Sequence, residues 1–351
     1  MRRDSPVLPW ARTLGLLLLL SLLAVAVTAP RFNRVDWLVG NLTSDGKDSA
    51  VHLGDAANYV SAVQWFRGKA GLYGEPGAPG EEVLRAPFCY RVVVPALAAV
   101  LPFSPMTAIN TLNLLFVIGA MLLLYRLERL LAVPERDALL GCALFVVSFP
   151  TFYYSTIGYI DPVLVFAVIA CLNLIYDRRH LAAALTIGFG LLAKENIVMV
   201  IPALAVGVWQ TTHSWRVAAA WTILAFGIWT VLWFAVRSWV PVLHHAEWHM
   251  NLATLEYNML RARSWLTLAL CAATVVLPFV RMRTPLPKLR RRAMDPLWLP
   301  MWAGLAGSTA HYAYSWLVAY ADGRMFWPIF CFAIPIAIHL TTRERERCHA
   351  A

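Results

Sequence analysis

Apolar residues recur in long runs along nearly the whole chain, and short polar segments separate these runs. A run of about 20 apolar residues is the length that an α-helix needs to cross a bilayer. The pattern therefore predicts an all-α polytopic membrane protein with about ten transmembrane helices. The expected spans are residues 13–29, 105–125, 138–154, 159–176, 180–193, 196–210, 217–236, 264–280, 296–319 and 325–341.

The composition supports this class and excludes two others. Hydrophobic residues make up 60% of the 351 residues and charged residues only 14%, whereas soluble domains are typically about 45–50% apolar and about 25% charged. An ordinary soluble enzyme is thereby excluded. The formal net charge of +10 is not accompanied by a basic face on a soluble domain, so no nucleic-acid partner is expected.

Residues 180–210 form either one long helix or two short helices that meet at Lys194 and Glu195. With two short helices and a cytoplasmic N-terminus, the cytoplasmic segments hold 18 of the 30 Lys and Arg residues and 8 of the 20 Asp and Glu residues, which accounts for the whole excess of +10. This bias is what membrane insertion favours, whereas one long helix would export the basic cluster at 281–292. We therefore expect a broken helix pair that lines a protein cavity.

The resulting topology is a single membrane domain over 1–351 with both termini in the cytoplasm, and it fits the inner (cytoplasmic) membrane of a bacterial cell. Its extracytoplasmic parts are a long first loop at 30–104 and a second loop at 237–263, while 281–295 forms a basic cytoplasmic loop. The first apolar run is either a cleaved signal peptide or a retained anchor. The alternation of the remaining spans favours the anchor.

The first loop carries the patterns of two short elements. Residues 54–66 place apolar side chains at helical spacing, which predicts a short amphipathic helix that begins near Asp55. The apolar run at 92–103 is too short to cross a bilayer, so we expect it to lie in the membrane interface. This long loop is the expected location of the catalytic function.

Ionisable residues close to the membrane gather on one rim in this topology. Asp55 begins the loop helix, Asp161 begins the fourth span, Lys194 and Glu195 lie at the break, and Asp322 and Arg324 begin the last span. Charges at membrane depth are costly and usually face a polar cavity. Carboxylates together with fixed cations suit a substrate with a hydroxyl to be deprotonated and a phosphate to be held.

Each of these residues also has a purely structural interpretation. Asp55 and Asp161 each begin a helix and could serve only as helix caps. Lys194 and Glu195 could be loop charges that pair with each other, and Arg324 could be a snorkelling anchor at a helix end. Only the joint pattern favours a functional site.

Histidines add two weaker candidates. His244, His245 and His249 lie near Glu247 in the second outer loop, but their spacing is not that of HExxH, and an interfacial helix explains them as well. A divalent cation therefore stays open as a cofactor, and no metal ligand is assigned. His311 lies inside the ninth span, where it either reaches the cavity or packs against a neighbouring helix.

Several short motifs occur along the chain. They are Gly54-Asp55-x-x-x-Tyr59 in the first loop, Tyr90-Arg91 followed by Pro95, Tyr159-x-Asp161-Pro162, Lys194-Glu195 in the broken pair, and Gly323-Arg324 followed by Pro328. Together they resemble the GT-C superfamily of integral-membrane glycosyltransferases, which use polyprenyl-phosphate-linked sugars. The resemblance covers most of the chain in architecture, and each motif is short.

The resemblance implies a reaction and a set of roles. A monosaccharide would move, with inversion, from a polyprenyl-phosphate donor to a glycan, lipid or protein acceptor on the extracytoplasmic face. Asp55 would be the general base, and Lys194 and Arg324 would hold the donor phosphate. The substrate pocket would include Tyr59, Arg91, Asp161, Glu195 and His311. Many relatives carry a second acid after the first-loop Asp, whereas here Ala56 follows it, which weakens the case for a metal bridged by adjacent carboxylates.

The alternative function is a polytopic transporter or lipid flippase without transferase activity. A broken helix with charges at its break is also a feature of secondary transporters. Such a protein is expected to show related halves and coupling residues near mid-membrane, and the sequence shows no convincing internal repeat. A non-catalytic assembly protein, in which the rim charges are incidental, is a third interpretation.

The charge distribution predicts the side of the membrane on which the basic loop lies. A reporter fused after Arg290 is expected to give a cytoplasmic signal, because export of the 281–292 cluster would be costly. Paired fusions to alkaline phosphatase and to a fluorescent protein measure this. An extracytoplasmic signal would reverse the side of the membrane assigned to every loop and to both termini.

Overall fold

Helices form nearly all of the structure that can be described. The computed structural model describes residues 9–34, 55–68, 84–240, 244–245, 250–280, 286–319 and 321–342. Over these residues the chain is helical, apart from one parallel pairing between the two-residue strands β1 (Arg85–Ala86) and β2 (His244–His245). The expected all-α class is therefore confirmed for the described residues.

Sixteen α-helices are present in this part of the chain. They are α1 (Pro9–Thr28), α2 (Asp55–Phe66), α3 (Val93–Ala99), α4 (Pro105–Leu130), α5 (Glu135–Val147), α6 (Phe149–Tyr154), α7 (Asp161–Tyr176), α8 (His180–Gly190), α9 (Ile201–Thr212), α10 (Trp215–Trp239), α11 (Leu252–Leu260), α12 (Ala262–Val280), α13 (Leu286–Ala293), α14 (Leu299–Val318), α15 (Gly323–Phe326) and α16 (Phe330–Thr341). The two short elements expected in the first loop correspond to α2 and α3.

Five helical segments are long and apolar enough to cross a membrane. They are Ala11–Arg31, Pro105–Leu130, Trp215–Trp239, Ala262–Val280 and Gly323–Thr341. Two further apolar helices, α7 and α8, are shorter than a normal crossing. The chain is thus a helical membrane protein, and its described residues supply five such segments where ten spans were expected.

One expected span, 138–154, is interrupted at Ser148. This residue is extended, and its hydroxyl accepts a hydrogen bond from the backbone N–H of Thr151, so that it caps a new helix. Pro150 lies in the first turn of that helix, where a missing N–H costs nothing. The run is therefore split into α5 and α6.

The region 180–210 is also interrupted, as the charge distribution predicts. Helix α8 ends at Gly190, and the chain resumes as a 3-10 helix, Glu195–Val200, before α9 begins at Ile201. A single long helix over this region is excluded. The charged residues at the break are consequently free to reach different neighbours.

A buried polar network holds the turn before α7. The side-chain oxygen of Asn110 accepts a hydrogen bond from the backbone N–H of Gly158 at 2.7 Å, and its amide donates to Oδ1 of Asn33 at 2.7 Å. Gly158 has a φ of +87°, and a Cβ there would lie 2.8 Å from the Cβ of Ala56, so only glycine fits. The turn thereby brings Asp161 next to the start of α2.

Burial divides the long apolar segments into central and peripheral ones. In Gly323–Thr341, 78% of the 18-residue apolar stretch is buried inside the bundle, whereas only 11% of the corresponding stretch is buried in α10 and 17% in α12. On the two peripheral helices Ile223 is 70% exposed and Val280 is 73% exposed. Apolar surface of this extent requires lipid contact, while the last segment forms the centre of the bundle.

We expect Asn110 to be a major stabilising residue of α4. Asn110→Ala removes one buried and one partly buried hydrogen bond and leaves the buried Gly158 N–H without its acceptor, which should lower the free energy of unfolding by about 2 kcal/mol. The control is Leu115→Ala on the same helix, because Leu115 is 60% exposed, and its cost should stay under about 1 kcal/mol. Thermal unfolding in detergent compares them, and equal losses would contradict a stabilising network.

Candidate functional site

The charged residues near the expected rim meet in one place, which we call the charged cluster. It consists of Asp55, Arg91, Asp161, Lys194, Glu195, Asp322 and Arg324. These residues come from the first loop, the start of α7, the interrupted helix and the start of the last apolar segment. The fold therefore assembles one polar site from four distant parts of the sequence.

Asp55 and Arg324 join the first loop to the last apolar segment. Asp55 is the first residue of α2, and its Oδ2 accepts a hydrogen bond from Nη1 of Arg324 within an ion pair. Asp322 caps α15 by accepting a hydrogen bond from the Arg324 backbone N–H at 3.0 Å. The Arg324 guanidinium lies over the ring of Tyr159, 4.5 Å from its centroid. The Arg324 side chain is only 11% exposed, so its interpretation as a snorkelling anchor is wrong.

Asp161 and Lys194 form a deeply buried ion pair. Their side chains are 3% and 4% exposed, and Nζ of Lys194 donates to Oδ1 of Asp161. The cap position of α7 is occupied by Ile160 without a side-chain capping bond, so the interpretation of Asp161 as a helix cap is wrong. The other oxygen of Asp161 lies 4.0 Å from Nε of Arg324, which links this pair to the first.

Arg91 and Glu195 form the third ion pair. Nε and Nη2 of Arg91 donate to the two Glu195 oxygens at 2.9 and 2.5 Å, and Nη1 donates to the Tyr59 hydroxyl at 2.6 Å. This two-point geometry is the strongest arrangement for an arginine and a carboxylate. Lys194 and Glu195 therefore have different partners, and the interpretation in which they pair with each other is wrong.

The backbone at the break explains why these two neighbours separate. Lys194 is extended, with φ of −165° and ψ of 133°, and Glu195 then opens the 3-10 helix. Adjacent side chains on extended backbone point in opposite directions. The Glu195 carbonyl also accepts a hydrogen bond from the Trp229 indole N–H at 3.2 Å, which ties the break to α10.

Arg67 holds the first-loop helix in place. Its guanidinium donates to the carbonyl oxygens of Ala98, Ala99, Leu101 and Phe103. The last carbonyls of a helix have no intrahelical partner, so Arg67 satisfies the end of α3 and fixes α2 against it. The position of Asp55 depends on this contact.

His311 lies beside the charged cluster. Its Nε2 is buried and has no hydrogen-bond partner within the described residues, and its ring interacts electrostatically with Lys194 and Glu195. The side chains of the outer-loop histidines and of Glu247 lie outside the described residues. Among the side chains that are described, no group of three or more His, Cys, Asp or Glu residues is arranged to hold a metal ion.

Two opposing effects act on the carboxyl group of Asp55. Burial acts to raise its pKa, but the charge and hydrogen bond of Arg324, with smaller contributions from Arg91 and Lys194, hold the pKa below its ordinary value of 3.8. Asp55 is therefore ionised at neutral pH. The arrangement provides a fixed carboxylate in direct contact with a fixed cation.

Arg263 is a neighbour of the cluster that the sequence did not suggest. It lies in the first turn of α12 and interacts electrostatically with Asp322 and Tyr159. In the sequence it stands directly before an apolar run, which is also the usual place for a membrane-anchoring arginine. Only its proximity to the cluster distinguishes it.

No known protein family, curated protein or solved structure matches this chain. The charged cluster and the sequence motifs are therefore the features that bear on its function.

We expect that removing either partner of the Asp161–Lys194 pair alone strongly destabilises the fold. Asp161→Asn leaves the Lys194 ammonium buried without a counter-charge, which should lower the free energy of unfolding by about 3–5 kcal/mol. The control is Asp177→Asn, which breaks the pair with Arg126, whose side chain is 47% exposed, and should cost about 1 kcal/mol or less.

Urea or thermal unfolding in detergent measures both variants. The double variant Asp161→Leu with Lys194→Met removes both charges and should recover much of the lost stability, because apolar residues replace a buried ion pair at little cost. A double variant as unstable as Asp161→Asn would show that the charges are not the cause.

Proposed function

We propose that the chain is a membrane glycosyltransferase that moves a monosaccharide from a polyprenyl-phosphate donor to a glycan, lipid or protein acceptor. The observation that supports this most is the ion pair between Asp55 of the first loop and Arg324 of the last apolar segment. It holds a proton acceptor beside an anion-binding group, and glycosyl transfer from a lipid phosphate needs both. The motifs that resemble the GT-C superfamily support the same reaction.

The proposed reaction is an inverting displacement at the anomeric carbon of the sugar. The acceptor oxygen forms a bond to this carbon while the bond from the carbon to the phosphate oxygen breaks, and the electron pair of that bond leaves with the phosphate. The acceptor proton passes to Asp55, and Arg324 stabilises the charge that develops on the phosphate. The sugar must therefore lie between the two side chains, so their ion pair opens when the donor binds.

Opening of this pair also prepares the base. Burial acts to raise the pKa of Asp55, and Arg324 lowers it. Once the donor phosphate pairs with Arg324, the charge of Arg324 no longer offsets the effect of burial on Asp55, and the pKa of Asp55 rises. The carboxylate thus becomes a stronger base when the donor is in place.

The two cations proposed to contact phosphate differ in availability. Lys194 is 4% exposed and bound to a carboxylate that is 3% exposed, whereas Asp55, the partner of Arg324, is 22% exposed. Separating the deeper pair costs more. We therefore assign the direct phosphate contact to Arg324 and a longer-range electrostatic contribution to Lys194.

The remaining pocket residues are assigned to recognition of the sugar or the acceptor. Glu195 is 28% exposed, which makes it the most accessible carboxylate of the charged cluster and suits it to accept hydrogen bonds from sugar hydroxyls. Arg91 orients it through two hydrogen bonds, and the Tyr59 hydroxyl in turn accepts a hydrogen bond from Arg91. His311, whose ring interacts electrostatically with Lys194 and Glu195, offers a further ring nitrogen for this recognition.

A transporter or lipid flippase is the second candidate. The observation that favours it is the buried Asp161–Lys194 pair at an interrupted helix, because paired ionisable groups inside a bundle are typical of ion-coupled transporters. This function requires no proton transfer at Asp55. The two candidates are therefore separated by an activity measurement on an Asp55 variant.

We expect Asp55→Asn to abolish transfer. The amide cannot accept the acceptor proton, and loss of a general base typically lowers the rate by about 10²–10⁴-fold. Purified protein in lipid nanodiscs is supplied with radiolabelled polyprenyl-phosphate sugars and membrane acceptors, and label in the acceptor is counted. Asp177→Asn is the matched control, because it makes the same change at an exposed ion pair.

The outcomes separate the candidate functions. Transfer by the wild type and by Asp177→Asn, but not by Asp55→Asn, supports the glycosyltransferase. Full activity of a folded Asp55→Asn variant would contradict the role of Asp55. Movement of labelled lipid across the bilayer without any transfer by the wild type would favour the flippase.

A further inference from the structure

Arg263 is held in a fixed position at the edge of the charged cluster. The hydroxyl of the next residue, Ser264, donates to the carbonyl of Ala321 at 2.9 Å. Asn258, on the preceding helix α11, accepts a hydrogen bond from the Ala321 backbone N–H at 2.9 Å and donates to the Ala319 carbonyl at 2.8 Å. These bonds fix the start of α12 against the residues that lead into Asp322.

Arg263 has no direct partner within the described part of the chain. No hydrogen bond or ion pair of its side chain is found there, and its Nε is buried. Its charge acts on Tyr153, Tyr154, Tyr159 and Asp322. Asp322 is the one carboxylate among these four groups, and it already caps α15 by accepting a hydrogen bond from the Arg324 backbone N–H.

The other cations of this region are already engaged. Arg91, Lys194 and Arg324 each form an ion pair. Arg237 packs against two aromatic rings, with its guanidinium carbon 3.6 Å from the Trp233 centroid and 4.4 Å from the Tyr90 centroid. Among the described residues, Arg237 and Arg263 are thus cations near the cluster without an ion pair, and of the two Arg263 is the one next to Ser264, which is bonded to the residue before Asp322.

A second donor lies next to it. Nε of Arg324 is buried and makes no hydrogen bond within the described residues; it lies 3.8 Å from Oδ1 of Asp322 and 4.0 Å from Oδ2 of Asp161. Tyr159, on whose ring Arg324 lies, also interacts with Arg263. The charges of Arg263 and Arg324 therefore both act on Tyr159 and Asp322, and the Nε of each makes no hydrogen bond within the described residues.

We infer that Arg263 binds the phosphate of a polyprenyl-phosphate lipid together with Arg324. The planar fork of a guanidinium matches two phosphate oxygens at once. Arg263 stands at the first turn of an apolar helix whose apolar stretch is only 17% buried in the bundle, so a lipid chain that lies along that helix presents its headgroup at this depth. The inference builds on the proposed function and adds a phosphate contact that the sequence motifs do not contain.

Binding of polyprenyl phosphate without a sugar tests this inference separately from transfer. The protein in nanodiscs is titrated with radiolabelled polyprenyl phosphate, with the uncharged polyprenol and with inorganic phosphate. Arg263→Gln is expected to weaken polyprenyl-phosphate binding by at least about 10-fold, since a charged hydrogen-bond donor is lost. Polyprenol should bind the wild type and the variant equally.

Two further variants make the result specific. Arg263→Lys keeps the charge but loses the two-point geometry, so it should bind polyprenyl phosphate more tightly than Arg263→Gln and less tightly than the wild type. Arg126→Gln makes the same change at a distant exposed pair and should leave binding unaltered. If Arg263→Gln does not fold, the comparison of Arg263→Lys with the wild type decides.

The outcomes distinguish this inference from the proposed function. Unchanged affinity of both Arg263 variants for polyprenyl phosphate would overturn the inference, even if Asp55→Asn abolishes transfer. Weakened binding in a protein that transfers no sugar would keep the phosphate site and reject the transferase. Equal binding of inorganic phosphate and of the lipid would show that the site takes free phosphate, and would overturn the lipid as its ligand.

Discussion

Burial of charge inside an apolar helical bundle is the constraint on which the arrangement of this molecule depends. A charged group taken out of water costs several kcal/mol unless a partner compensates it, and the apolar segments here leave little room for water. Asp161 and Lys194 meet this requirement by pairing at 3% and 4% exposure. Because neither can be left without the other, the start of α7 and the interrupted helix must lie together.

The irregular parts of the fold follow from the same requirement. The break after α8 lets Lys194 and Glu195 reach partners on different sides, which one continuous helix would prevent. The left-handed turn at Gly158, held by Asn110, delivers Asp161 to its place. The first loop is tied to the bundle through ion pairs and through the Arg67 contacts to α3. These three irregular features thus lie where charges need partners.

The ion pairs differ in depth, and this difference separates structural from chemical roles. The deepest pair is the least able to open, whereas the pair between Asp55 and Arg324 combines side chains that are 22% and 11% exposed. A reaction at the charged cluster would therefore open one of the two shallower pairs, Asp55–Arg324 or Arg91–Glu195, and leave Asp161–Lys194 as its support. Arg263, whose Nε makes no hydrogen bond among the described residues, is the further phosphate contact that we propose.

The sequence by itself determined the membrane class, the positions of most helices, the break near Lys194 and the gathering of charges, because hydrophobic periodicity and charge bias are local properties of the chain. Only the tertiary structure decided which charges pair. The partners are 33, 104 and 269 residues apart for Asp161–Lys194, Arg91–Glu195 and Asp55–Arg324, and no local pattern encodes such distances. For the same reason the structural interpretations of Asp161, Lys194, Glu195 and Arg324 stayed open until the pairs were located, and the sequence pattern did not single out Arg263. Ion pairing is a property of packing between segments, and packing became visible only once the helices were assembled.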